Sequence, residues 1–322
     1  MINLELYRDL IDILNENNYK YVIDYEGVKD HIAIGIGDIL FKLLNIQEEL
    51  VSKPVYINLD IFQSGYVKLN YENEPQVWFD NPYNNFIFRI NLLNDIIKHS
   101  MFFSKKDFIF IITKFNADIL SNINTNFNYN KIQNYKLWLN NNFYNTNTID
   151  NNITEFIKTP FIIFHTKLRL NNSYNYSQIK YNLRNFFAYL KVNSFNIIIM
   201  GEQDMPNTWE KKCHNITTIY DEVSQIKNIN SNKILDLSVK EIYNNLDYNR
   251  FKNDICLINR ATYNICFGQG GPLCLSLLFG KCIFFDPIDE TYFYKNTNLY
   301  NSGHRYFKKL LPMLNYLITI LR

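Results

Sequence analysis

Between Tyr263 and Pro287 the chain reads YNICFGQGGPLCLSLLFGKCIFFDP, and few architectures accept that order of residues. A short apolar run, Asn264 to Phe267, stops at Gly268, Gly270 and Gly271. Pro272 follows, then a helix-length apolar run from Leu273 to Phe279, then a second short run from Ile283 to Phe285. Short runs with no polar alternation predict strands buried on both faces, the signature of a parallel sheet covered by helices. Glycine permits positive φ and close backbone approach, and proline is favoured at the first helical position, where its missing amide costs nothing. The unpaired amides and positive end of such a helix suit an anion such as a phosphate. The turn also falls at the carboxyl edge of the sheet, where open α/β folds bind ligands.

The remaining chain repeats the alternation. Strands are expected at Lys20 to Asp24, His31 to Ile36, Val55 to Leu59, Phe86 to Ile90 and Phe108 to Thr113, with helices at Ile39 to Leu50 and Leu92 to His99. In the second half, strands are expected at Phe161 to Phe164 and Asn196 to Met200. Helices are expected at Ile179 to Val192, Glu241 to Asn253 and Arg305 to Leu321. At 322 residues the chain suits two domains of roughly 150 each. The expectation is α/β with two Rossmann-like domains facing a central cleft, residues 1–150 and 153–322, joined through an Asn-rich connection at about 121–152. The C-terminal helix is expected to pack back on the first domain.

Composition excludes more than it selects. A net charge of +2 supplies no long-range field for nucleic acid, so an anionic ligand has to be caught locally. The enrichment in Asn, Ile, Lys, Tyr and Phe looks like the imprint of an AT-rich genome, so Asn-rich runs are discounted as functional signals. The five cysteines form no CxxC pair and four lie in apolar stretches, which predicts buried free thiols in a reducing compartment and no metal site. Residues 1–18 read as an acidic amphipathic helix without a leader's basic and apolar regions, and no apolar run reaches membrane-spanning length. The expectation is a cytoplasmic protein with at most peripheral membrane contact.

Two stretches resemble one family. GQGGPLCLSLLFGKCIFFDP is similar to the donor-site segment of GT-B glycosyltransferases, nearest the heptosyltransferase type, which carry D-S-G-x-x-H followed by L-A-x-A-x-G-x-P and a strand. Gly271, Leu275, Gly280 and the run Ile283 to Phe285 match in order and spacing. The family's Asp falls on Gln269, its Ser on Gly270 and its His on Cys274, so backbone amides survive where side chains do not. His31 to Leu40 (HIAIGIGDIL) is similar to the family's G-x-G-D-x-L segment. The resemblance implies that Gly35 and Gly37 shape an acceptor-side loop and that Asp38 is the general base; read from the residues alone, Asp38 can equally cap the helix after it.

Further candidates stand at strand ends. Lys167 and Arg169, with the Thr166 hydroxyl, are expected just after the strand FIIF, where Arg can grip two phosphate oxygens and Lys supplies a point charge. Gly201 and Glu202 end the next strand, and Glu202 is expected to accept a sugar or ribose hydroxyl. The turn itself contributes Gly268, Gln269, Gly270 and Gly271. No Walker lysine, full dinucleotide fingerprint or Ser-His-acid order is present. The resemblance therefore implies a metal-independent, inverting transferase without a cofactor, taking a nucleotide sugar as donor and a glycan or lipid-linked acceptor. The competing expectations are a nucleotide-sugar epimerase or pyruvyl-type transferase on the same fold, and a non-catalytic binding or structural protein.

Overall fold

A computed structural model describes residues 7–23, 32–33, 39–40, 54–58, 82–99, 104–112, 151–169, 175–204, 216–226, 231–240, 247–268, 271–285 and 303–322. The chain is an α/β protein with two parallel sheets flanked by helices, compatible with Rossmann-like folds. It divides into two units, Met1–Tyr135 with Leu246–Tyr248, and Lys136–Asn245 with Asn249–Arg322. Most of the Asn-rich connection, 121–150, lies outside the described residues.

The first unit holds helix α1 (Arg8–Glu16), strands β1 (Lys20–Ile23), β2 (Ile32–Ala33) and β3 (Val55–Asn58), helix α2 (Pro82–His99) and strand β4 (Phe108–Ile112). The strands pair in parallel in the order β1-β4-β3-β2. Their core is aromatic: Phe110 meets Tyr19 and Phe86 edge to face, with ring centroids 5.3 and 6.1 Å apart. The abundant asparagines have structural work here. Asn18 ends α1 in the left-handed region, with φ of 59°, a conformation Asn tolerates better than most residues. The Tyr19 hydroxyl donates to Asn94 Oδ1, whose amide donates to Asn17 Oδ1, tying α1 to α2.

Phe86 to Ile90, expected as a strand, lies inside α2. Over those five residues alternating large apolar side chains match a strand. Extended to Ile97, the buried positions Phe86, Ile90, Leu93 and Ile97 instead follow the helical spacing.

The second unit runs α3 (Asn151–Phe156), β5 (Phe161–Arg169), α4 (Tyr176–Tyr189), β6 (Asn196–Met200), β7 (Ile216–Thr218), α5 (Tyr220–Val223), β8 (Ile234–Asp236), α6 (Tyr248–Arg260, whose first residue is grouped with the first unit), β9 (Tyr263–Gly268), α7 (Gly271–Phe279), β10 (Cys282–Phe285), β11 (Arg305–Phe307) and α8 (Leu310–Leu321). Six parallel strands lie in the order β8-β6-β5-β9-β10-β11, and β7 adds antiparallel to the end of β5. Numbered within the unit, that order is 3-2-1-4-5-6, the doubly wound arrangement whose direction of growth reverses between strands 1 and 4. The reversal falls between β5 and β9.

One face of this sheet, including Ile162, Phe164, Leu168, Ile199, Phe267 and Phe285, packs under α4 and α8. Helix α7 packs on β9 and β10 from the other face. Three expectations change here. The C-terminal helix α8 buries Met313, Leu317 and Leu321 in the core of its own unit. Its expected first residues, Arg305–Phe307, are instead the edge strand β11, because the helix begins only after Lys308 and Lys309. The helix expected over Glu241 to Asn253 is described from Tyr248, and it runs on to Arg260; residues 241–246 lie outside the described set.

Candidate functional site

Strand β9 ends at Gly268, which lies opposite Arg169 in the β5–β9 ladder. Gly268 has a φ of +92°, and a Cβ there would overlap the Arg169 carbonyl oxygen and stand 2.9 Å from its carbonyl carbon. Glycine is therefore what lets the two strand ends close up at the reversal point. Gln269 and Gly270 lie outside the described residues. Gly271 opens α7, is exposed, and would meet nothing within 4 Å if it carried a Cβ. The space left at Gly271 lies outside the chain's own packing, in front of a helix end whose first amides have no intrahelical acceptor.

Lys167 and Arg169 were expected just after the strand FIIF; they lie within β5, which continues to Arg169. The strand persists because its backbone keeps partners, β9 on one side and β7 on the other, with Lys167 opposite Thr218. Both side chains are half-buried. Leu168 between them points into the α4–α8 core, so strand alternation turns Lys167 and Arg169 to the face that carries α7. Two cations and a helix amino terminus therefore share one face at the carboxyl edge of the sheet.

Thr166, expected to offer its hydroxyl to a ligand, is fully buried and donates to the Glu202 carbonyl oxygen at 2.7 Å. The Thr218 hydroxyl donates to the same oxygen at 2.8 Å. Gly201, with φ of +123°, allows this closure, since a Cβ would overlap Thr166 Oγ1. The Glu202 side chain is buried at the end of β6. This corner braces β6 against β5. Gly35, Gly37 and Asp38 lie outside the described residues; Ile39 and Leu40, which follow, are helical and buried.

Beneath the first turn of α7 is a polar cluster that sequence reasoning passed over. Ser276, on α7, donates to the Pro272 carbonyl at 2.7 Å and lies 3.2 Å from His165 Nε2. Cys266 Sγ donates to the same hydroxyl at 3.5 Å. Asn264 gives its amide hydrogens to the Ile258 and Lys281 carbonyls. His165 is 2% exposed, and burial pushes its imidazole down to about 4, with the Asn264 side chain pulling slightly upward. At neutral pH the ring is uncharged and adds no positive charge beneath α7. The available signal was a polar residue inside each apolar run: Ser276 in LCLSLLF and Asn264 in NICF.

Burial and the neighbouring Cys266 push the Cys282 thiol well above its ordinary value, and burial pushes Cys256 up to about 11. The four cysteines among the described residues are free and buried. No helix among the described residues is long and apolar enough to cross a membrane. Together these elements can hold an anionic group at the β5–β9 reversal by backbone amides and two cations. No family model, no characterised protein and no solved structure matches the chain.

Proposed function

We propose that the chain is a glycosyltransferase that moves a sugar from a nucleotide-diphosphate donor to a hydroxyl of a glycan or lipid-linked acceptor. The observation that carries this reading is the pair Gly268 and Gly271, which end β9 and open α7 where the strand order reverses, beside the end of β5 that carries Lys167 and Arg169. In dinucleotide-binding domains of the same strand order, the glycine fingerprint follows the first strand. Here the residues after β5 are LNNSY, without glycine. That difference favours a diphosphate held at α7 over a nicotinamide or flavin dinucleotide.

In this reading Asp38 takes the proton of the acceptor hydroxyl, whose oxygen attacks the anomeric carbon from the face opposite the leaving group. The bond to the diphosphate oxygen breaks, its electron pair leaves with the diphosphate, and the configuration inverts. Helix amides, Lys167 and Arg169 stabilise the departing charge without a metal. The proposal includes the GT-B arrangement of two units about a cleft and a cytoplasmic setting with at most peripheral membrane contact.

A second reading, a non-catalytic nucleotide-binding protein, is favoured by Gln269 and Cys274, which stand where the resembling family has Asp and His; Cys274 is also buried. A thermal-shift panel of UDP, GDP, ADP and CMP sugars tests the donor site common to both. Asp38→Asn then separates them: the transferase loses transfer to a verified acceptor while keeping donor affinity. If no nucleotide sugar raises the melting temperature, both readings fail.

A further inference from the structure

We propose that the face of the second unit covered by α4 and α8 is a docking surface for anionic lipid membranes. Residues 175–195 and 303–322, which supply α4, the connection after it, β11 and α8, contain no Asp or Glu. The first stretch carries Lys180, Arg184 and Lys191, the second Arg305, Lys308, Lys309 and Arg322. The chain as a whole is balanced, with 33 basic and 31 acidic residues, so acids are kept off this face rather than scarce. Arg184 is held by Glu222 of α5 at 3.5 Å and is not counted in the surface. The surface does not depend on the donor-site reading.

The two helices run in the same direction over one face of the sheet. Each follows a parallel strand, starts at the carboxyl edge and buries its inner stripe in the shared core. Their far ends are joined: the Asn193 amide, in the connection after α4, donates to the Leu321 carbonyl at 3.3 Å. Lys233 enters the same corner by donating to the Asn193 carbonyl at 3.0 Å. Lys191, Lys233 and Arg322 therefore gather at the amino edge of the sheet. Lys308 and Lys309, both exposed, stand at the other end, directly before α8.

Apolar side chains fill the outward stripes between these cations. Four large hydrophobic residues are strongly exposed among those described, and three of them are here: Tyr181 at 61%, Tyr189 at 80% and Leu311 at 60%. Tyr181 and Tyr189 stand about 12 Å apart along the outer side of α4, and Leu311 follows directly on the two lysines. Tyrosine and lysine each join an apolar body to a polar tip, which suits the headgroup layer of a bilayer. Leu311 is an aliphatic group that a phosphodiester backbone has no means to use, which favours lipid over nucleic acid. Each Lys or Arg near an anionic leaflet strengthens attachment by about fivefold.

Cosedimentation of the full chain with vesicles, without nucleotide, tests the surface. Phosphatidylcholine vesicles with about 30% phosphatidylserine are expected to bind the chain, pure phosphatidylcholine is expected not to, and high salt is expected to release it. Lys308→Gln with Lys309→Gln is expected to weaken binding by about tenfold or more. Lys309 caps α8 without a side-chain hydrogen bond, so the helix keeps its start. Leu311→Ser is expected to weaken binding while leaving its salt dependence unchanged. Lys106→Gln with Lys158→Gln removes the same charge outside this face, from two other exposed positions, and is expected to bind like the wild type. If the first pair does not fold, Lys191→Gln with Arg322→Gln takes its place. Equal binding to neutral and anionic vesicles, or equal losses in the two double variants, overturns the proposal. So does absence of vesicle binding, whether or not polyuridylate is held by the same lysines. None of these failures touches the donor site.

Discussion

Gly268 faces Arg169 across the ladder that joins the first and fourth strands of the second sheet, at a separation that admits no side chain on Gly268. Gly271, three residues on, has open space where its side chain would be. The two glycines therefore predict opposite outcomes. Gly268→Ala combines a left-handed φ with backbone overlap and is expected to cost about 3 kcal/mol or more in chemical denaturation. Gly271→Ala is expected to change stability by less than about 1 kcal/mol, while weakening nucleotide binding because the methyl occupies the ligand's approach. Equal effects of both on stability would remove the distinction.

Lys167 and Arg169 carry the side-chain charge of the proposed site. Replacing either by Gln is expected to weaken diphosphate binding by about 1.5–3 kcal/mol, the usual worth of a hydrogen bond to a charged group. The wild-type affinity is expected to fall with added salt, and more steeply than that of the double variant. Melting temperatures without ligand check that the strand pairing of β5 survives.

The pH dependence of stability follows from His165. Its folded value of about 4 lies below the ordinary 6.5, so the folded protein binds fewer protons than the unfolded chain between those values. Stability is full above pH 6.5 and is lost as pH falls towards 4, by on the order of 3 kcal/mol. Asp254 acts oppositely in part of the same window. Burial pushes its carboxyl up to about 6 against the pull of Arg250, so its contribution falls as pH rises. About a quarter of that side chain is exposed (26%), which weakens the hold of burial on it. The difference between wild type and His165→Gln in urea melts at pH 4.5 and 7 isolates the histidine; no difference in slope would contradict its buried neutral state.

The thiols give a check on the second unit's core. Cys256, Cys266, Cys274 and Cys282 are buried, and burial raises Cys256 and Cys282 above the ordinary thiol range. Their alkylation at pH 8 is expected to proceed only through unfolding, at a rate that denaturant accelerates. Modification of these four within the mixing time, read by peptide mass spectrometry, would contradict that packing.

What the sequence made legible was the part where local pattern and tertiary role agree. The β9–turn–α7–β10 segment has apolar runs of the right lengths punctuated by glycine and proline, and the structure places all three elements within two residues of expectation. Phe86 to Ile90 misled because five residues cannot separate a period of two from one of 3.6. His165 to Arg169 misled for another reason: polar side chains suggest a loop, yet a strand at the carboxyl edge can carry them while its backbone stays paired. The short strands β7 and β8 have three residues each and no apolar run to announce them. The His165–Ser276–Asn264 cluster was illegible because its partners lie up to 111 residues apart and meet only through the sheet order.

Ligand-induced stabilisation shows whether the first turn of α7 is a donor site. With UDP- or GDP-sugar at 100 times its dissociation constant, binding contributes about 2.7 kcal/mol and is expected to raise the melting temperature by roughly 5 °C. That rise is expected in the wild type, and its loss in the Lys167→Gln, Arg169→Gln double variant. A melting temperature unmoved by every nucleotide sugar, or a rise that persists unchanged in the double variant, would contradict the donor site.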